Sequence, residues 1–450
     1  MAPHLRRAAV VAVVAWLLAP AYAPCAPILD GSHIHEHTLA NGLHIIVKEE
    51  RGWGVVAVSA CIRCGSLYDS ADAPGLGHFV EHMLFRNADN GGEPSAIVAA
   101  VEGRGGQLNA ETNRDSTMVQ MVLSPQALPD LWPVLARTLF EAKFADDTVN
   151  VERKVIAEEI AEREGEAYGA LTEAVWAAAY PHHPYGRVVG GTGEAVEKIS
   201  AEQLRAYDAQ FYVPNNVALV LVGDVAASDV FSQVQQAFGG YAQKPVTWSP
   251  PEAEPALDGP KTEVQTQDVN LTLVGMGFRA PGIARKRDVC AMDLIYTVLS
   301  DGRKARLTTE VEAKGLVNAY DFQFLTQREN GLVLLTAATT PDKELEARSA
   351  LTEQLARLAT EGVTDEELTR SKRVLRNSYA FSNEAYSDQV GSLGFYEMID
   401  TFRFAIDYVD AVNQVTAEDI KRVAAEYLSS DKQILVIFRP PAPRGTGHEV

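Results

Sequence analysis

The sequence predicts two α+β domains, each a sheet with helices packed on one face, joined by a proline-rich linker. Three observations predict this. The chain has 450 residues, more than one ordinary core serves. Short apolar runs of strand character alternate with long stretches of helical character in both halves. Between Gln243 and Lys261 lie Pro245, Pro250, Pro251, Pro255 and Pro260, which disfavour regular structure and stiffen a linker. The expected boundaries are a signal peptide over 1–21, a first domain over 30–243, a linker over 244–261 and a second domain over 262–441.

The first residues read as an export signal. Arg6 and Arg7 form a positive start, and Ala8 to Ala19 form an apolar run too short for a comfortable membrane span. Ala19-Pro20-Ala21 offers a cleavage pattern, with Ala21-Tyr22-Ala23 competing. Tyr22-Ala23-Pro24 before Cys25 is a poor match to a lipoprotein signal. No later segment is long and apolar enough to span a bilayer, so a soluble, exported mature protein is expected, in the periplasm in preference to full secretion.

From His37, HTLANGLHIIVKEE predicts a hairpin turning at Asn41-Gly42. A strand follows over Val55 to Ile62, then a glycine-rich turn and a helix carrying HFVEH. GGQLNAETNRDSTMVQMVLS predicts two strands, with Thr117, Val119 and Met121 alternating against Met118, Gln120 and Val122. Helical stretches are expected from about Pro125 to Phe144 and from Asp146 to Ala179, and VALVLVGDV is a buried strand. Beyond the linker, VNLTLVGMGFRAP opens a second strand-then-helix series that ends in QILVIF. An internal duplication fits this order of elements, although the second half has no histidine between Lys261 and Ala442.

A hydrophobic fraction of 46% and a charged fraction of 22% describe a folded globular protein. The formal net charge of −20 argues against a nucleic-acid partner, which needs clustered Lys and Arg. Cys61 and Cys64 have CxxC spacing but fall in the strand-like run VVAVSACIRC, where residues three apart face opposite sides. A structural role is expected for them.

His78 and His82 are one helical turn apart and can converge on one ion, with Glu81 flanking the same face. A carboxylate there could take a proton from an activated water. A polar helix face would give the same letters. Further along, VERKVIAEEIAEREGEA is glutamate-rich. Glu152 and Glu159, seven apart, face one way; Glu158 points elsewhere; and Val155, Ile156 and Ile160 place the adjacent face in the core. An exposed acidic helix, as for Glu162, Glu164 and Glu166, is the other reading. Periodicity alone leaves both open.

The stretches HTLANGLHIIV, PGLGHFVEHMLFRN, GGQLNAETNRDST, HPYGRVVGGTGEAVEKISAEQLRAYDAQFYVPNNVALVLVGDV and SDGRKARLTTEVEAKGLVNA together resemble the M16 metallopeptidases over almost the whole mature chain. In that family HExxH is inverted to HxxEH. The resemblance is closest to the half-length M16B subunits, of the β type of mitochondrial processing peptidase and of bacterial zinc proteases. It implies domains of the LuxS/MPP-like metallohydrolase type. It also implies one zinc ion per chain on His78, His82 and Glu159, with Glu81 as general base and Glu152 orienting the site. Asn109 and Ala110 match the family's edge strand, beside which a substrate strand adds through main-chain hydrogen bonds. The implied activity is a zinc-dependent endopeptidase acting on peptides or unfolded polypeptides. Two His and one Glu would also serve Mn or Co.

The sequence departs from the family in one place. Many active members carry in the second half an Arg and, seven residues later, a Tyr that bind substrate. Aligning Lys314 to Leu316 puts Val311 and Asn318 there, and Arg306 and Tyr320 are out of register. The chain is therefore expected to be the zinc-bearing subunit of a two-subunit enzyme, with a homologous M16 partner supplying the pair in a heterodimer, or a homodimer as the alternative. A catalytically silent structural subunit is a rival, opposed by the intact His78, Glu81, His82 and Glu159. A zinc hydrolase with a non-peptide substrate is another, opposed by the edge-strand motif.

Overall fold

The structure, a computed structural model, describes Leu29, residues 31–86 and residues 95–442; the export-signal reading and Cys25 lie outside the described residues. The expected hairpin is present, with β1 (Ile34–Thr38) antiparallel to β2 (His44–Glu49). β3 (Val56–Ile62), α1 (Leu76–Leu84), α2 (Ala96–Val101), β4 (Gln107–Thr112) and β5 (Thr117–Leu123) follow. Then come α3 (Leu128–Phe140), α4 (Asp146–Gly165), α5 (Ala167–Ala179), α6 (Gly193–Lys198) and α7 (Ala201–Phe211). β6 (Val217–Gly223) and α8 (Ala227–Phe238) end the first half. β6, apolar throughout, takes the interior of the sheet, where both of its faces are buried; the order is β1-β2-β6-β3-β5-β4.

The segment from Tyr241 to Pro260 has no helix or strand. The second half holds β7 (Lys261–Thr266), β8 (Thr272–Arg279), α9 (Lys286–Ser300), β9 (Ala319–Phe324) and β10 (Leu332–Thr339). It continues with α10 (Glu344–Thr360), α11 (Asp365–Phe381), α12 (Tyr386–Ile399), α13 (Arg403–Asn413), α14 (Ala417–Tyr427) and β11 (Ile434–Arg439). Its sheet has the order β7-β11-β8-β10-β9. Capping boxes at Ser200–Gln203, Thr364–Glu367 and Thr416–Asp419 start α7, α11 and α14 at defined residues.

The two halves exchange a helix. In the second half, α9, α10, α13 and α14 pack on one face of the sheet. The other face is covered by α5 of the first half, whose Leu171 and Val175 meet Leu273, Leu332, Leu334 and Val436. Reciprocally, α12 of the second half lays Val390 and Leu393 on Ile46, Ala57, Cys61 and Val220 of the first sheet. Polar contacts fix that docking: Arg63 donates to the carbonyls of Met398 (3.1 Å) and Glu397 (3.0 Å), and the buried Lys48 donates to Gln389 (2.8 Å).

The exchange explains why the helical stretch expected over Asp146 to Ala179 is two helices. It breaks where Gly165 ends α4 and Glu166 is extended (φ −88°, ψ 107°). α4 turns Val149, Ile156 and Ile160 into the first-half core, and α5 is re-aimed at the second sheet, which one straight helix could not do. The contact is close: a Cβ on Gly277 of β8 would lie 2.5 Å from Val175 Cγ1. Gly277→Val is therefore expected to destabilise the protein by about 1–3 kcal/mol through overpacking, read as a lowered melting temperature. An unchanged midpoint would mean that α5 sits on the sheet with room to spare.

The cysteines lie on opposite sides of the first sheet. Cys61 is in β3 against α12, and Cys64 lies past the strand's end in the core under α1, so only Cys61 is a strand residue. Both are free, and burial pushes both thiols up to about 12, which suits packing and not redox chemistry.

Candidate metal centre and peptide cleft

α1 is a helix whose start is built from outside it. The buried Asp69 carboxylate accepts from the Gly75 N–H (2.7 Å) and the Gly77 N–H (2.9 Å), satisfying amides that a helix start leaves open. Gly75 has φ +92°, and a Cβ there would lie 2.6 Å from the Gly190 carbonyl oxygen, so this turn against the 190–191 loop requires glycine. Leu76, Phe79, Val80, Met83 and Leu84 are buried in the core. Glu81 and His82 instead line a cleft bounded by α4 and β4.

α4 brings the third donor. Buried Val149, Ile156 and Ile160 anchor it, which sets Glu152 and Glu159 toward the histidines. Val155, assigned from the sequence to the core side, is 38% exposed and lines the cleft. Glu158, Glu162, Glu164 and Glu166 face solvent, as expected.

The ligating atoms of His78, His82 and Glu159 all lie within 4.8 Å of one another. Glu159 is 3.6 Å from His78 Nε2 and 3.4 Å from His82 Nε2. Donors at zinc-bond lengths of roughly 2.0–2.2 Å around a tetrahedral ion stand about 3.3 Å apart, close to both Glu159 contacts, so the two imidazoles and the carboxylate are a donor set that fits zinc. The electrostatics agree. Burial, with His82 and Arg163 nearby, pushes His78 down to about 3, leaving a neutral imidazole with a lone pair to offer. Burial opposes charge on His82, but Glu152, Glu81 and Glu159 outweigh it and raise its pKa. Such a cluster of acceptors around one imidazole is what a cation would relieve.

Glu152 is buried and accepts from His82 Nδ1 at 2.8 Å, which turns Nε2 toward Glu159. Burial would raise the pKa of Glu152, but His82 and Arg86 hold it below the usual carboxylate range; Arg86 is 2.5 Å away. Glu152→Gln is expected to weaken zinc binding by about 10- to 100-fold, read by competition with a chromogenic chelator. Affinity equal to the parent would remove Glu152 from the site.

Glu81 is 8% exposed and accepts from the Thr112 hydroxyl at 2.5 Å. Its pKa is raised by burial, against the pull of Thr112 and His82. Among the described residues Asn109 and Ala110 lie on β4, the outermost strand of the first sheet, and line the same cleft of about 520 Å³ with Phe85, Val98 and Leu108. Sequence reasoning passed over Asp69, Arg86 and Thr112. None has a local pattern, since each acts on a partner distant in the chain.

The second-half residues stand apart. Val311 is buried and Asn318 exposed. Arg306 is buried in a bidentate pair with Glu367 (2.8 and 2.9 Å) and donates to the Gly362 carbonyl, while Tyr320 bonds Thr308 (2.6 Å). Arg306 is thereby committed to its own domain.

Residues 45–193 match the family model described as Insulinase (Peptidase family M16), and residues 198–375 match the one described as Peptidase M16 inactive domain. An uncharacterized zinc protease of Mycobacterium bovis is 27% identical over 398 residues, covering 87% of this chain and 90% of its own. A probable mitochondrial-processing peptidase subunit beta of Arabidopsis thaliana is 26% identical over 420 residues, covering 91% of this chain and 78% of its own. Among solved structures, a protease from Helicobacter pylori superposes with a TM-score of 0.84 at 25% identity, over 90% of this chain and 99% of that one.

Proposed function

The chain belongs to peptidase family M16, and from that premise we propose that it is a zinc-dependent endopeptidase acting on peptides or unfolded polypeptides. One observation carries the reading: His78, His82 and Glu159 converge at the end of a cleft lined by Glu81, His82 and the outermost strand of the first sheet. His78 Nε2, His82 Nε2 and the Glu159 carboxylate would hold the ion. When bound, zinc supplies Lewis acidity toward the scissile carbonyl and the attacking water.

The chain's own groups do the rest. The main-chain N–H and C=O groups of β4 at Asn109 and Ala110 pair with an extended substrate strand and set its register across the cleft. Glu81 takes the proton of the attacking water and then gives it to the leaving amine. Phe85, Val98, Leu108 and Val155 give the cleft an apolar part against which substrate side chains can pack.

The chain acts as the zinc-bearing subunit of a two-subunit enzyme. Support comes from Val311 and Asn318 in the expected Arg and Tyr positions, from the commitment of Arg306 to Glu367, and from the likeness to a β-type processing-peptidase subunit. Arg6, Arg7 and the apolar run after them support export, with the periplasm as destination. Among the described residues no helix is long and apolar enough to cross a membrane.

The test is cleavage of a quenched fluorescent unstructured peptide by the zinc-loaded chain, alone and with a homologous M16 chain bearing the Arg and Tyr. Stimulation by the partner is expected. Equal activity without it would remove the two-subunit reading, and inactivity of the complex would remove the peptidase reading.

A further inference from the structure

We infer that Thr112 is a positioning residue for the base: its hydroxyl, backed by Thr117, holds the Glu81 carboxylate at the cleft. The inference rests on the reading of Glu81 as general base. Along β4, Leu108, Ala110 and Thr112 are half-buried while Gln107, Asn109 and Glu111 are exposed. Thr112 is the last residue of the strand and pairs with Thr117, the first residue of β5. Their hydroxyl oxygens are 3.0 Å apart, and Thr117, fully buried, donates to the Cys64 carbonyl at 2.9 Å. The row Glu81–Thr112–Thr117–Cys64 therefore ties the carboxylate to the main chain just beyond β3.

Counting protons gives the row its direction. Thr117 has one hydroxyl proton and two acceptors in reach, the Cys64 carbonyl and the Thr112 oxygen, so it can donate to Thr112 while Thr112 donates onward. Thr112 has one proton and two acceptors in reach. With Glu81 ionised, Thr112 donates to the carboxylate. Once Glu81 has taken a proton from the attacking water on its other oxygen, Oε1, Oε2 still accepts from Thr112, so the hydrogen bond to Glu81 survives both states and the added proton stays on the side of the leaving amine. The carboxylate thus stays in place while it receives the proton and returns it to the leaving amine. Valine would satisfy the strand equally well by shape and β-propensity but has no polar atom. Serine keeps the hydroxyl.

The experiment compares zinc-loaded wild type, Thr112→Ser and Thr112→Val by crystal structure and by peptide hydrolysis in the presence of the partner chain. In the crystals, Glu81 is expected to keep its orientation in wild type and Thr112→Ser and to turn away or spread over several orientations in Thr112→Val. In hydrolysis, Thr112→Val is expected to lose about 10- to 100-fold in kcat with KM within about twofold, and Thr112→Ser to recover most of it. Zinc content and melting temperature identify a variant that has lost the site or the fold. An unmoved Glu81 in zinc-loaded Thr112→Val overturns the inference, as does Thr112→Ser falling as far as Thr112→Val in kcat. Inactive wild type would count against the peptidase reading, and the crystallographic comparison would still decide the role of Thr112.

Discussion

Glu81→Gln should lower kcat for peptide hydrolysis by about 10²- to 10⁴-fold, the span of a positioned general base, while the protein still binds one zinc ion. The amide keeps the shape of the carboxylate and can still accept from Thr112, so packing around α1 should hold. What it removes is the ability to take a proton from water. Glu81 is not among the three converging ligands, which is why metal content and activity should separate in this variant. Steady-state kinetics beside metal analysis of the same preparation make the comparison. Activity close to that of the parent would take Glu81 out of the reaction, and loss of metal together with activity would instead make it part of the ion's holding set.

Glu159→Gln should weaken zinc binding by more than the roughly 100-fold upper figure for residues that merely orient a ligand. It removes the one negative charge among the three donors and leaves two neutral imidazoles on one face of α1. The glutamate also carries the contact between α4 and both histidines, at 3.6 and 3.4 Å. Chelator competition reads the affinity, and activity at low free zinc should fall with it and recover in part at higher zinc. Unchanged affinity would show that α4 does not supply the third donor. The expected ranking, Glu159→Gln weaker in binding than Glu152→Gln, separates the carboxylate facing the ion from the one behind His82.

The legible parts of the site are those set by local geometry. His78 and His82 share a helix face because a turn of helix separates them, and the spacing of Glu152 and Glu159 gave their common direction in the same way. That Glu159 meets the two histidines is a tertiary fact, and before the structure it stood on family resemblance alone. Val155 shows the limit of the method. Its apolar side chain in a helical pattern points to the core, yet it lines the cleft, because periodicity identifies a face but not what lies opposite. Thr112, Arg86 and Asp69 were invisible for a related reason: one hydroxyl, one guanidinium and one carboxylate carry no pattern, and each works on an atom far along the chain.

By itself the sequence determined the two-part α+β architecture, the strands of the first sheet, β8 and β11 of the second, and the helix that carries two histidines and a glutamate, since all of these follow from apolar period and turn chemistry. Only the tertiary structure decided that α5 and α12 change places between the halves, that α4 stops at Gly165, and that α4 delivers Glu159 to α1. The physical reason is range. Backbone periodicity acts over a few residues and is written in the local sequence, whereas the choice of which apolar face covers which sheet is a competition among all buried surfaces of the chain, settled only when they pack together.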